Sequence, residues 1–97
     1  MQFTQHIVIE VPDEAALERL LQEWRVAGPN EGAGFLGGRL LRFRDEPGRY
    51  LLQADFDSWK SAETNNAREE TQQWRAKLDE LIEGEAKFHN LDVLRNF

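Results

Sequence analysis

The sequence contains no cysteine and only two histidines, His6 and His89. Without thiols there is no disulfide framework, no thiolate metal site and no cysteine nucleophile. Two histidines on separate stretches supply no ligand spacing for a zinc site, which takes three or four ligands, so no metal is expected. Long apolar runs are also missing. The longest is three residues, far short of the roughly 20 that a bilayer-spanning helix requires. Positive charge is scarce: 12 Lys and Arg stand against 18 Asp and Glu, a formal net charge of −6. Binding to nucleic acid or to an anionic membrane rests on a basic surplus that displaces counterions, so neither is an expected partner. The residues Met1-Gln2-Phe3-Thr4-Gln5-His6 offer neither the basic cluster nor the apolar stretch of a signal peptide, and a cytoplasmic location is expected. What is present is 97 residues, 40% hydrophobic and 31% charged, the balance of one soluble domain spanning 1–97.

Alternation predicts a first strand over 3–11, with Phe3, Ile7, Ile9 and Val11 on one face and Thr4, His6, Val8 and Glu10 on the other. Asp13 is a natural N-cap for a helix whose apolar stripe is Leu17, Leu20, Leu21 and Trp24, and Gly28-Pro29 is its expected stop. Residues 30–34 read as a connection. Strands over 35–44 and 49–57 follow, joined by Asp45-Glu46-Pro47-Gly48, where Pro-Gly predicts a type II turn. A second helical stretch starts near Asp57-Ser58 and carries Trp74, Leu78, Leu81 and Ile82 on one stripe. Its earlier half is poorly patterned, and Asn65-Asn66 predicts a break over 65–69. Gly84 is the expected end of that helix, and 87–95 the last strand.

The order β-α-β-β-α-β predicts an α+β, ferredoxin-like sandwich: one antiparallel four-stranded sheet with both helical layers on the same face. The strands carry apolar residues on both faces. In the third strand Tyr50, Leu52, Ala54 and Phe56 oppose Leu51; in the second, Phe35, Leu41 and Phe43 oppose Leu36 and Leu40. An apolar sheet face left in water is an aggregation liability, so a homodimer packed sheet to sheet is expected.

Gly32-Ala33-Gly34-Phe35-Leu36-Gly37 matches G-x-G-x-x-G, yet a helix precedes it and a strand follows. The dinucleotide motif needs the reverse order to aim amides at a pyrophosphate, so no cofactor is expected. The glycines instead suit a tight strand entry and a bulge. His6, on the face opposite Ile7, is expected in the dimer seam as a hydrogen-bonded interface histidine, with a general base as the alternative. Asp55 and Asp57 could act as paired carboxylates, or Asp57 could simply cap the helix. Arg39, Arg42, Arg44 and Arg49 could hold an anion, although pairing with Asp or Glu is the simpler use. Asn65, Asn66 and Trp74 are the strongest candidates. A helix interrupted by amides over a sheet opens a cavity with a polar rim and an aromatic wall; the plainer alternative is a surface irregularity with Trp74 in the core.

Together these stretches resemble the antibiotic-biosynthesis-monooxygenase-like family of dimeric α/β barrels. The resemblance is carried by Gly34-Phe35-Leu36-Gly37, Leu40-Leu41-Arg42, Arg49-Tyr50, Phe56-Asp57-Ser58 and Gln73-Trp74-Arg75-Ala76. It implies a homodimer with a pocket in each subunit, lined at positions Ile7, Asn65 and Trp74. It also implies chemistry in which a bound phenol or anthrone loses a proton and reduces dioxygen with neither metal nor flavin. The haem-degrading branch carries asparagine, tryptophan and histidine where this sequence has Ile7, Asn65 and Trp74, so haem ligation is not expected. Two functions stand: binding of a small apolar or aromatic ligand between sheet and helices without reaction, and, as the alternative, cofactor-independent monooxygenation of a phenolic or polycyclic aromatic metabolite.

Overall fold

The computed structural model describes residues 1–26 and 34–97. Its elements are β1 (Phe3–Glu10), α1 (Glu14–Val26), β2 (Phe35–Arg42), β3 (Arg49–Phe56), α2 (Trp59–Ala67), α3 (Glu69–Leu81) and β4 (Lys87–Asp92). The strands pair antiparallel in the order β2-β3-β1-β4, so the two strands with the most complete apolar alternation lie at the centre. This is the expected ferredoxin-like α+β arrangement, with the second helical stretch in two pieces. The expected helix stop at Gly28-Pro29, the connection as far as residue 33, and Gly32-Ala33 lie outside the described residues. Among the described residues no helix is long and apolar enough to cross a membrane.

Period-two burial in β1 sets the core. Phe3, Gln5, Ile7 and Ile9 are buried, while Thr4, His6 and Val8 between them are half-buried. The register places Ile7 opposite Leu52 and Ile9 opposite Tyr50. Leu17 and Leu20 of α1 and Leu78 of α3 close over these four side chains. A second cluster, Phe3, Phe56 and Ala62, joins α2 to the other end of the central strands.

On β2 the predicted faces need correction. A bulge between Phe35 and Gly37 shifts the register by one residue, so Leu40 faces Leu52 and packs on the main core while Phe35 packs against the second cluster. Both therefore lie on the helix side, and Leu41, opposite Leu51, lies on the other. A strict alternation cannot survive an inserted residue. The strand entry is also tight. Gly34 has φ 84°, its carbonyl accepts from Asp57 N at 2.8 Å, and a Cβ there would sit 2.3 Å from Ser61 Oγ.

Local signals account for the other boundaries. Asp13 caps α1, accepting from Ala16 N at 3.2 Å. Arg49 N donates to Glu46 O at 3.1 Å around Pro47-Gly48, with Gly48 at φ 85°, the expected type II turn. Ser58 rather than Asp57 caps α2, through Ser61 N. Arg68 adopts φ −70°, ψ 142° and divides α2 from α3 inside the predicted window. Helix α3 stops at Leu81, three residues before Gly84, because Ile82 is extended and Glu83 N is drawn onto Glu10 O at 2.8 Å. The strands end at Arg42, Phe56 and Asp92, one to three residues short of the expected limits.

The start of α1 is tied to the sheet by Glu14. Its carboxylate accepts two bonds from Arg42, each 2.8 Å, and one from Tyr50 Oη at 3.1 Å. These bonds, Arg42 first and Tyr50 second, hold the Glu14 carboxyl below the ordinary carboxylate range, with desolvation opposing them. A carboxyl lowered in the folded state stabilises fully above its unfolded pKa, and that contribution disappears as pH falls through the lowered value. Glu14→Gln should therefore flatten the acid limb of stability against pH; an unchanged acid limb in urea denaturation between pH 3 and 7 contradicts this. Leu17 has no exposure in the core. Leu17→Ala should lower the unfolding free energy by about 2–5 kcal/mol in the same assay, and a loss below about 1 kcal/mol contradicts the placement of the core.

Candidate functional site

Three polar side chains are buried among the described residues: Gln5, Asn65 and Thr71. All three line one cavity of about 930 Å³ between the sheet, α1 and α3, which opens to solvent along a rim that includes Glu18, Arg19 and Gln22. Burying a polar group is costly unless it is hydrogen-bonded, so their convergence needs a structural cause. Gln5 occupies an inward position of β1 between Phe3 and Ile7. Asn65 and Thr71 flank the break at Arg68, and Thr71 Oγ1 donates to Asn65 Oδ1 across it at 3.4 Å. The break thus turns one amide and one hydroxyl from helix surface into cavity lining.

The rest of the lining is apolar and aromatic. Ile7, Leu40 and Leu52 contribute from the sheet, and Trp24, Phe35 and Trp74 from α1, β2 and α3. Trp24 meets Phe35 edge-on with centroids 5.1 Å apart and lies 6.1 Å from Trp74. The Trp74 indole is fixed, because Nε1 donates to the carbonyl of Leu20 at 3.0 Å. That bond satisfies the ring's polar edge and leaves its faces for contact.

Arg75, half-buried, is the inner charge of the cavity. Nη2 donates to Gln5 Oε1 at 3.1 Å and to Asn66 Oδ1 at 2.9 Å, and the guanidinium carbon lies 5.3 Å from the Phe88 ring centroid. Gln5 Nε2 in turn donates to Asn90 Oδ1 at 3.4 Å. Burial holds the guanidinium below the ordinary arginine range, and the field of Asp79 opposes that shift more weakly. The other charged lining residues are placed differently. Glu18 and Arg19 are exposed at the rim, and Arg39 bonds Gln53 at 3.1 Å, a residue opposite outward-facing His6.

Ile7, Asn65 and Trp74 therefore border one cavity, whereas Asn66 lies behind it and meets the lining through Arg75. The other candidates fall elsewhere. His6 pairs with His89 across β1 and β4 on the outer sheet face. Asp55 accepts from Gln53 at 3.2 Å, and Asp57 accepts from Ser61 Oγ, neither of them in the cavity. Arg42 and Arg49 pair with Glu14 and Glu46, as expected of hairpin arginines, while Arg39 pairs with an amide. The described residues contain no group of three or more His, Cys, Asp or Glu arranged to hold a metal ion. Sequence reasoning missed Gln5, Thr71 and Arg75. Gln5 had a signal, a polar residue on the apolar face of a strand. Thr71 had a weaker one, three residues before Trp74 on the same stripe. Arg75 had none, since its role depends on which strand α3 crosses.

No protein-family model matches the sequence, and no curated protein matches it. Solved structures do match, over nearly the whole chain. SnoaB, a cofactor-independent oxygenase from Streptomyces nogalater, superimposes with a TM-score of 0.79 at 17% identity, over 98% of this chain and 95% of its own. Rv0793 from Mycobacterium tuberculosis gives 0.81 at 19% identity, over 99% and 98%. A Caulobacter crescentus protein described provisionally as an antibiotic biosynthesis monooxygenase gives 0.83 at 16% identity, over 97% and 91%. At such identities the likeness is one of architecture. The chain has the fold of the antibiotic-biosynthesis-monooxygenase-like proteins.

Proposed function

We propose that this chain binds a small aromatic molecule in the cavity between α1, α3 and the sheet, and holds it without catalysing a reaction. The observation that carries this reading is the placement of all three buried polar side chains of the described residues on one cavity that also has three aromatic walls. Ligand pockets combine a mostly apolar lining with a few fixed polar groups. Here Ile7 and Leu52 form an apolar floor, Trp74 and Trp24 offer ring contacts, and the Gln5 and Asn65 amides meet a ring substituent. Asn66 contributes by orienting Arg75. The working location is the cytoplasm.

A second reading is favoured by the fold shared with SnoaB, a cofactor-independent oxygenase. A phenol or anthrone bound in the cavity would lose a proton, and its anion would reduce dioxygen. One oxygen atom enters the ring system and the other leaves as water. The cavity would stabilise the anion with hydrogen bonds, which is the share of catalysis a protein supplies in such chemistry. Equilibrium dialysis with anthrone and 1,3-dihydroxynaphthalene, run beside an oxygen electrode, decides between the readings. Saturable binding without oxygen uptake is the expected result, and uptake at one dioxygen per substrate favours the oxygenase. Trp74→Ala should weaken binding about 2- to 10-fold, the worth of one aromatic contact. No binding by either compound contradicts both readings.

The working unit is proposed to be a homodimer. Val8, Leu41 and Leu51 are half-buried and Leu91 is 42% exposed on the sheet face that the helices leave open. Light scattering should give twice the 11.3 kDa of one chain, and Leu51→Lys should shift it toward one chain. A wild-type mass of a single chain contradicts the assignment of that face.

A further inference from the structure

Building on the cavity as the binding site for an aromatic molecule, we infer that its ligand is an aromatic acid, with the rings against Trp24, Phe35 and Trp74 and the carboxylate on the Arg75 guanidinium. The ion pairs of the described residues neutralise Arg42, Arg49 and Arg68 with Glu14, Glu46 and Glu70, all outside the cavity. Arg44 and Arg95, also outside it, are exposed to solvent, and so are the two other lining arginines, Arg19 and Arg39, which pay no desolvation. Arg75 is half-buried and has no carboxylate at ion-pair distance among the described residues. Both of its hydrogen bonds leave from Nη2 and end on amide oxygens. A desolvated cation held only by neutral acceptors is incompletely compensated, and its Nη1 and Nε donors remain for an incoming group.

The match is to a single negative charge. The groups in contact with Arg75 are the Gln5 and Asn66 amides and the Phe88 ring, and the Asp79 carboxylate acts on it only from beyond ion-pair distance, so one carboxylate completes the site and a doubly charged phosphate would exceed it. Charge-assisted bonds from a guanidinium to a carboxylate are stronger than those it now makes to amides. Size follows from the sheet. Phe35 on β2 is in register with Phe3, so Gln5 on β1 lies two strand spacings across and two residues along from it, about 12 Å. That span fits two fused rings bearing a carboxylate.

The test is isothermal titration of the protein at pH 7.5 with 2-naphthoate and with 2-naphthamide, which share shape and differ in charge. The expected result is that naphthoate binds at least about 10-fold more tightly, the usual advantage of a charged hydrogen-bond pair. Arg75→Gln should abolish that preference, and Arg75→Lys, which restores the charge without the planar fork, should recover part of it. The wild-type comparison stands on its own if Arg75→Gln does not fold. Equal binding of the two compounds overturns the acid assignment and leaves the aromatic cavity standing. Retention of the preference in folded Arg75→Gln overturns the role of Arg75. Binding of neither compound overturns the cavity reading as well.

Discussion

The extended backbone at Arg68 is the constraint on which the site depends. An unbroken helix from Trp59 to Leu81 would run about 34 Å, longer than the roughly 27 Å of an eight-residue strand beneath it. Splitting it lets α2 close the Phe3–Phe56 end of the sheet while α3 crosses toward α1 and β1. The interruption frees backbone groups. Asn65 O accepts from Arg68 N at 3.2 Å, and Gln72 N returns to Arg68 O at 3.1 Å, so the local cost is met inside the chain. Between the two helical pieces the Asn65 and Thr71 side chains face inward, and the cavity has its polar lining there.

Electrostatics adds to that geometry. The chain is acidic overall, at −6, and most of the carboxylates of the described residues are exposed to solvent. Against that background the half-buried guanidinium of Arg75 is a local inversion of sign, fixed by Gln5 and Asn66 rather than quenched by a carboxylate. A protein stabilised only by packing would gain from an apolar residue at this point. A protein that recognises a charged ligand keeps the cation and accepts the desolvation. The Glu14 cluster shows the opposite solution: there Arg42 is paired with a carboxylate at the surface and serves to anchor α1.

Much of this was legible in the residues. Alternation in Phe3–Val11, the caps at Asp13 and Ser58, and the Pro47-Gly48 turn each act over a few residues, so sequence spacing suffices to place them. The amide pair at 65–66 located the break for the same reason. The faces of β2 were misread because strict alternation was carried through the bulge that the glycines themselves suggest, and one inserted residue inverts every later position. The site was read in part. Ile7, Asn65 and Trp74 border the cavity, but Arg75 joins it through a helix-to-strand crossing between residues 70 positions apart. Such a contact is set by packing, and no short pattern encodes it.

The central claim is that the cavity between α1, α3 and the sheet is where a ligand binds. Backbone-amide and indole chemical-shift mapping during titration with 2-naphthoate tests it most directly. The account predicts shifts concentrated at Gln5, Ile7, Leu52, Asn65, Thr71 and Arg75 and at the Trp24 and Trp74 indoles. Shifts confined to the outer sheet face, at Thr4, His6, Leu51 and Leu91, would contradict it.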